Sequence, residues 1–289
     1  MKEFNFYSPT TLDEALKILS QHKGRVSVIA GGTDLVMELQ ERTHDTENIL
    51  SIKKIPQLKY IKVEGGKVRI GALTTFTELE NHLYIQEHVK SLHYVCAHVG
   101  SPQIRNLGTI GGNVVNASVA GDSPTTFMAL DATVVLESLR GRREMKLTDF
   151  YADCPKTQIA DDELLTEVWF DAPTANVATA TYKLGKRKAL VIVVLGLSAL
   201  IEKDEDNRIA RAQITIGAVS KKPSRLPELE ACLVGKPVSQ ETFAPCAELL
   251  SQTVQKMIPT RASVTYKKES VKGVSEKTFN GILADFGMI

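Results

Sequence analysis

Apolar residues recur with a helical period near the start of the chain and form short runs after it. Within 12–19 they stand at i, i+3, i+4 and i+7, and Thr11 precedes them in a capping-box sequence, which predicts a first helix. The apolar runs Val26–Ala30 and Asn48–Ile52 predict two strands, with a helical pattern between them. We therefore expect a small β-α-β unit with a sharp turn at Gly31-Gly32, at the carboxyl end of its first strand.

The middle of the chain mixes strand and helix signals. The predicted strands are Leu58–Val63, Lys67–Ala72, Ala132–Ser138 and Leu164–Phe170. The predicted helices follow the capping box Thr75-Phe76-Thr77-Glu78, run through His88–His98, and occupy Thr125–Ala129. The segment Gly100–Asp122 is dense in glycine and asparagine and shows little periodicity, so the pattern assigns it no regular element.

The last third of the chain has strands first and helices afterwards. Small residues and a proline at Pro173–Ala178 indicate a domain boundary. Beyond it, the pattern predicts strands at Ala180–Leu184, Val191–Ile201 and Arg208–Val219, then helices at Pro227–Leu233, at Ser239–Met257 and from Val264. This order predicts a small α+β domain.

Composition allows two domains and excludes several classes of protein. The chain has 289 residues, of which 43% are hydrophobic and 24% charged, with a net charge of +1. That balance gives no electrostatic footprint for nucleic acid or an anionic membrane. The longest apolar stretch, Leu190–Ile201, is well short of the ~20 residues that a membrane helix needs, and the N-terminus lacks the order of a secretory signal, so we expect a cytoplasmic protein.

Cysteine and histidine spacing offers no metal site. The four cysteines, Cys96, Cys154, Cys232 and Cys246, form no C-x-x-C pair, and no two histidines stand at i and i+4. Local zinc or iron–sulfur ligand sets are therefore not expected.

Two glycine-rich turns are the candidate chemistry. Ala30-Gly31-Gly32-Thr33-Asp34 and Thr109-Ile110-Gly111-Gly112-Asn113 each join a glycine pair to a threonine and an Asx residue. Glycines permit positive φ and close approach, and successive N–H groups then form a concavity for an anion such as phosphate. Either turn alone is weak evidence, since such pairs are usually only tight connections. Neither fits G-x-G-x-x-G, and no P-loop or G-x-S-x-G sequence occurs.

Several segments carry a resemblance to a known family: Ile29–Leu35, Gly100–Asn106 leading into Thr109–Asn113, Asp122, Leu164–Glu167, Tyr182-Lys183 and Arg261–Ser263. Along nearly its whole length the chain resembles the FAD-binding (medium) subunits of the molybdenum hydroxylases. These include the flavin subunits of xanthine, carbon monoxide and nicotinate dehydrogenases. The chain lacks the cysteine-rich insertion of the 4-hydroxybenzoyl-CoA reductase branch.

The resemblance implies where non-covalent FAD binds. Its pyrophosphate is expected at the first turn, and pyrophosphate and ribityl at Thr109, Gly112 and Asn113. Asp122 is expected on the ribityl side, Leu164 or Leu165 near adenine, and Lys183 at the flavin side. The full set of cofactor-binding residues is Ile29, Ala30, Gly31, Gly32, Thr33, Asp34, Leu35, Gly100, Thr109, Ile110, Gly111, Gly112, Asn113, Asp122, Leu164, Leu165 and Lys183.

The resemblance also implies a fold: a two-subdomain FAD module of the vanillyl-alcohol oxidase-like type, followed by a C-terminal domain of a three-stranded antiparallel sheet and helices. We place the FAD-binding domain at 1–175, with subdomains of about 1–55 and 56–175, and the C-terminal α+β domain at 176–289.

The implied function is electron transfer inside a larger complex. Electrons would pass from a molybdopterin large subunit through the [2Fe–2S] clusters of a small subunit to FAD, and on to NAD⁺ or NADP⁺. The hydroxylated substrate would be a nicotinate-like or purine heteroaromatic. No catalytic side chain and no metal ligand is expected on this chain. Two alternatives stay open: a stand-alone FAD-dependent reductase of the same fold, and a redox-inactive nucleotide-binding scaffold.

Overall fold

The N-terminal unit is a small parallel sheet with one helix packed on it. The computed structural model describes residues 3–154, 156–187 and 192–289. The unit consists of β1 (Asn5–Tyr7), α1 (Leu12–Gln21), β2 (Val26–Ile29), α2 (Leu35–Gln40) and β3 (Asn48–Ser51). The strand order is β1-β3-β2, so β2 is an edge strand. The apolar face of α1 packs on Leu50 and Ile52, as its period predicts.

The second unit is built on a five-stranded antiparallel sheet of order β4-β5-β8-β6-β7. Its elements are a 3₁₀ helix (Pro56–Leu58), β4 (Ile61–Glu64), β5 (Lys67–Gly71), α3 (Phe76–Glu80), α4 (Leu83–His88), α5 (Lys90–His98), α6 (Pro102–Leu107), α7 (Ile110–Asn116), α8 (Asp122–Ala129), β6 (Thr133–Ser138), β7 (Gly141–Lys146), α9 (Leu147–Phe150) and β8 (Leu164–Asp171). Helices α3, α5, α7 and α8 contribute to one core with β5, β6 and β8.

The elements that the periodicity did not predict are short or exposed. Helices α6 and α7 have only six and seven residues, too few to show a period, and they begin at the caps Ser101 and Thr109. Strand β7 is a charged edge strand with no apolar alternation, and β1 has three largely exposed residues. The predicted strand at Leu58–Val63 begins instead with the end of the 3₁₀ helix.

The C-terminal unit is an antiparallel sheet covered by helices. It consists of β9 (Val177–Gly185), β10 (Val193–Lys203), β11 (Ile209–Gly217), β12 (Ser224–Arg225), α10 (Pro227–Leu233), α11 (Gln240–Phe243), α12 (Cys246–Met257) and α13 (Val264–Asp285). The three long strands occur where the pattern predicts them, although Val191, the predicted start of one, lies outside the described residues. The prediction was a three-stranded sheet, but the sheet has a fourth strand of two residues. Its order is β12-β11-β10-β9.

Helix α8 joins the second unit to the C-terminal sheet. Its residues 123–129 are all buried. Phe127 contacts Phe170 of β8 with ring centroids 6.3 Å apart. On the other side, the Thr126 hydroxyl hydrogen-bonds Thr181 of β9 and Ser198 of β10. The two cores therefore meet across one buried helix. No helix in the described part of the chain is long and apolar enough to cross a membrane.

A pair of glycine substitutions tests this packing. A methyl group on Gly111 of α7 would stand 2.6 Å from Cβ of Ala72, whereas one on Gly273 of α13 would meet nothing within 4 Å. We expect Gly111→Ala to lower the free energy of unfolding by about 1–3 kcal/mol through overpacking. Gly273→Ala should raise it by up to ~1 kcal/mol through helix propensity. Urea unfolding of the two variants measures both effects, and equal shifts would contradict the packing described.

Candidate functional site

A cleft of about 830 Å³ lies where the first glycine turn, the start of β8 and the segment 108–116 meet. Its volume falls in the usual range for small-molecule sites, ~300–1,000 Å³. Most of the predicted cofactor residues line it: Ile29, Ala30, Gly31, Gly32, Thr33, Asp34, Leu35, Thr109, Gly111, Gly112, Asn113, Leu164 and Leu165. The two sequence-distant turns therefore share one cavity.

The first turn leaves its backbone donors unused. Gly32 has a φ of 75°, a conformation that favours glycine, and α2 begins three residues later at Leu35. Among the described residues, none accepts a hydrogen bond from the backbone N–H groups of 31–34. The Thr33 hydroxyl donates to the Asp34 carboxylate at 3.2 Å. This turn has the free N–H groups that an anion-binding loop needs.

Gly31 fixes the position of the first turn against the second. A methyl group here would overlap the carbonyl oxygen of Leu107 and would lie 3.2 Å from Cα of Gly108. Only glycine lets these two backbones pack this closely. Gly31 therefore serves the contact between the two turns, while Gly32 provides the turn conformation.

The second turn differs from what the sequence suggests. It is the start of α7, with Thr109 as the helix cap, so its glycines have helical rather than positive-φ backbone. Its amides 110–113 all have acceptors. The amides of 110 and 111 donate to the carbonyls of Thr74 and Ala72, both at 2.9 Å. The amide of 112 donates to the Thr109 hydroxyl at 3.2 Å, and the amide of 113 donates to the Thr109 carbonyl at 3.0 Å. Gly112 is nevertheless exposed on the cleft wall, with only the Thr109 hydroxyl near its open side.

Two predicted residues contribute to the backbone and the core rather than to the cleft wall. Gly100 has a φ of 48° and packs on the side chain of Ile104, which makes it a turn residue before α6. Ile110 is fully buried in the core of the second unit.

Asp122 and Lys183 form a buried ion pair that is not among the residues lining the cleft. Lys183 Nζ lies 2.6 Å from Asp122 Oδ2 and 3.2 Å from the carbonyl oxygen of His98, and the two side chains are 6% and 11% exposed. Burial raises the pKa of Asp122 above its ordinary value, against the opposing effect of the Lys183 cation. Ser123, next in the chain, donates to Oδ1 of Asn113 at 2.7 Å. The pair therefore lies behind the second turn.

Several lining residues lie outside the predicted set of cofactor-binding residues. They are Val26, Ser27, Val28, Glu38, His44, Ile52, Ala72, Phe76, Val99, Ile104, Gly108, Val115, Asn116, Ile159, Glu163 and Ile192. Glu163 is fixed by Arg143, which donates two hydrogen bonds of 2.7 Å. Burial opposes ionisation of Glu163, but Arg143, the Ala160 amide and Arg140 together keep its pKa below the usual value. In the described part of the chain, no group of three His, Cys, Asp or Glu side chains is arranged to hold a metal.

Comparison with known families decides the assignment. Residues 2–172 match the family described as the FAD binding domain in molybdopterin dehydrogenase, and residues 180–282 match the CO dehydrogenase flavoprotein C-terminal domain. The chain belongs to this family of FAD-binding subunits.

Similar proteins cover the chain from end to end. It is 46% identical over 287 residues to the nicotinate dehydrogenase FAD-subunit of Eubacterium barkeri, with 98% of this chain and 97% of that protein aligned. It is 31% identical over 280 residues to the glyceraldehyde dehydrogenase medium chain of Sulfolobus acidocaldarius, covering 97% and 98%. A solved structure of carbon monoxide dehydrogenase from Hydrogenophaga pseudoflava, lacking the Mo-pyranopterin moiety of its cofactor, matches with a TM-score of 0.89 at 26% identity and covers 98% of each chain.

These findings confirm the fold and the enzyme class. The chain is of the FAD-binding subunit type found in the molybdenum hydroxylases, which are oxidoreductases. It has the predicted fold, an FAD-binding domain followed by a C-terminal domain.

The buried Asp122–Lys183 pair can be tested for its contribution to stability. Lys183→Met leaves the Asp122 carboxylate buried without its cation, and we expect a loss of about 3–5 kcal/mol in the free energy of unfolding. Adding Asp122→Asn should restore most of that loss, because the double variant buries no charge. Chemical denaturation of the wild type, both single variants and the double variant gives the coupling energy. Additive losses would show that the two side chains do not depend on each other.

Proposed function

We propose that this chain binds FAD non-covalently in the cleft and serves as the electron-transfer subunit of a molybdenum hydroxylase complex. The observation that carries the proposal is the first turn, whose N–H groups 31–34 have no acceptor among the described residues. A diphosphate is an anion of the kind that such turns bind. The glycines keep the cleft wall free of side chains at both turns, so the residues present fit the cofactor.

The predicted contacts follow the walls of the cleft. The first turn holds the pyrophosphate, and Thr109, Gly112 and Asn113 hold the pyrophosphate and ribityl from the second. In this arrangement the Thr109 hydroxyl exchanges its weak 3.2 Å contact with the Gly112 amide for a contact with the ligand. Leu164 and Leu165 supply an apolar surface for adenine.

Asp122 and Lys183 stay predicted contacts of the ribityl and flavin side. What supports them is the hydrogen bond from Ser123 to Asn113, which joins the ion pair to the residue lining the cleft. In their present arrangement they hold the start of α8, from which Ser123 contacts Asn113, and their charges neutralise each other.

The proposed partners are a small subunit with [2Fe–2S] clusters and a large molybdopterin subunit. Support comes from the relatives, which are named as a FAD-subunit and a medium chain and are aligned over 97% of their length or more. When bound, FAD would supply the electron exchange between one-electron carriers and the two-electron acceptor NAD(P)⁺. This chain's residues bind and orient it, and we assign no side-chain acid or base to the reaction.

The proposed substrate of the complex is an N-heteroaromatic compound, nicotinate-like or a purine. The 46% identity to a nicotinate dehydrogenase subunit favours the nicotinate-like class. The medium chain of a glyceraldehyde dehydrogenase is also similar to this chain, at 31% identity. Because one type of flavin subunit serves such different compounds, we assign substrate choice to the large subunit.

Filling the second turn tests the cofactor site. A side chain at Gly112 would project from an exposed position where, among the described residues, its Cβ meets the Thr109 hydroxyl at 3.0 Å. We expect Gly112→Val to fold but to be purified without flavin, because its methyl groups occupy the wall that the ligand approaches. Absorbance at flavin wavelengths and a thermal melt measure both properties. Gly273→Val, at an exposed position of α13, is the matched control and should keep FAD. Full FAD occupancy in Gly112→Val would contradict this placement.

The activity of the isolated chain separates the proposal from its alternatives. Loaded with FAD, it should transfer electrons from NADH or NADPH to a dye and should not oxidise nicotinate or a purine until the small and large subunits are added. Turnover of a small substrate by the chain alone would favour a stand-alone reductase. Binding of FAD without any dye reduction would favour a redox-inactive scaffold.

A further inference from the structure

Three polar side chains outside the glycine turns form a chain of contacts on the cleft wall. Ser27 Oγ lies 2.7 Å from His44 Nε2, and Glu38 Oε2 lies 3.5 Å from His44 Nδ1. All three residues line the cleft. Their side chains come from three separate places: the edge strand β2, the helix α2 and the connection between α2 and β3.

This Ser27–His44–Glu38 chain lies at the opposite end of β2 from the anion-binding turn. The turn follows the carboxyl end of β2, and Ser27 is near its amino end, four residues before Gly31. At a rise of ~3.3 Å per residue, that separation is roughly 13 Å. The second glycine turn lies near the carboxyl end of β2, away from Ser27. Gly31 packs there on Leu107 and Gly108, which directly precede that turn.

The groups in this chain still have unused hydrogen-bonding capacity. His44 uses one ring nitrogen for Ser27 and the other for Glu38, so it orients both. Glu38 contacts His44 through Oε2, which leaves Oε1 as an acceptor, and its side chain is 44% exposed. A vicinal diol can donate hydrogen bonds to a carboxylate oxygen and to a serine hydroxyl at one site. Acidic residues accept such hydrogen bonds from the ribose in dinucleotide sites.

We propose that Glu38 and Ser27 bind the ribose of the adenosine half of FAD, with His44 as the positioning residue. The inference rests on the proposed function, in which the turn 31–34 holds the pyrophosphate and the second turn holds the ribityl side. The two halves of a dinucleotide leave its pyrophosphate in opposite directions, so the adenosine half extends along β2 toward Ser27. A hydrolytic triad is not supported, since the free N–H groups that would stabilise an oxyanion are those of the turn, roughly 13 Å away.

Ligands that contain or lack the adenosine half test this assignment. The full-length chain, freed of flavin, is titrated with FAD, FMN and ADP by calorimetry. We expect Glu38→Ala to weaken FAD and ADP about tenfold, the loss typical of one hydrogen bond to a charged group, and to leave FMN unchanged. Ser27→Ala and His44→Ala should shift the same two ligands in the same direction. Glu41→Ala, an exposed residue at the end of the same helix, is the control and should shift none.

Each result decides the assignment. Selective weakening of FAD and ADP supports it, and a merely structural role would not separate these ligands from FMN. Equal weakening of all three, or no change in any, overturns it and leaves the proposed function intact. If the wild-type chain binds no FAD, the proposed function fails and the inference fails with it. Thermal melts of every variant show that the comparison is made between folded proteins.

Discussion

The contact of Gly31 with the backbone of Leu107 and Gly108 sets the geometry on which the cleft depends. It joins two parts of the chain that fold in different units: a turn after an edge strand, and the entry to a helix anchored on β5. The entry itself is held by hydrogen bonds from 110 and 111 to Thr74 and Ala72. A side chain at position 31 would separate the two backbones, so the close approach needs glycine on sterics alone. The cleft is therefore a consequence of how two units meet, and neither unit contains it alone.

The two turns look alike in sequence and differ in what their amides do. The second turn uses its N–H groups to attach α7 to the end of β5 and to its own cap. The first turn has no such attachments among the described residues, so its N–H groups keep their full hydrogen-bonding potential for a ligand. An unpaired donor that faces a cleft costs little while water reaches it, and it gains an ionic partner when a phosphate arrives. The backbone of the second turn thus provides framework, whereas the first turn presents free N–H groups to the cleft.

Sequence reasoning found the parts of this site that depend on local backbone chemistry. The glycine pair 31–32, the cap Thr109 and the strand that begins at Leu164 are all local signals, and the structure brings them into one cleft. The resemblance supplied Asp122 and Lys183, 61 residues apart, whose pairing no period or turn rule reveals. Ser27, Glu38 and His44 carried no signal at all, because an isolated serine in a half-buried strand and a histidine in a loop are ordinary. Such groups become visible only when packing brings them to a common surface.

The C-terminal unit helps to shape the cleft instead of only adjoining it. Ile192, just before β10, is among the lining residues. Lys183 on β9 holds the first residue of α8, and Ser123, the second, holds Asn113 on the cleft wall. Hydroxyls of Thr126, Thr181 and Ser198 form a buried cluster between α8 and the sheet, where apolar side chains would allow sliding more easily. Buried polar groups have directional requirements, and displacing one leaves its partner unsatisfied. Fixed hydrogen bonds therefore link the C-terminal sheet through α8 to Asn113 of the second turn.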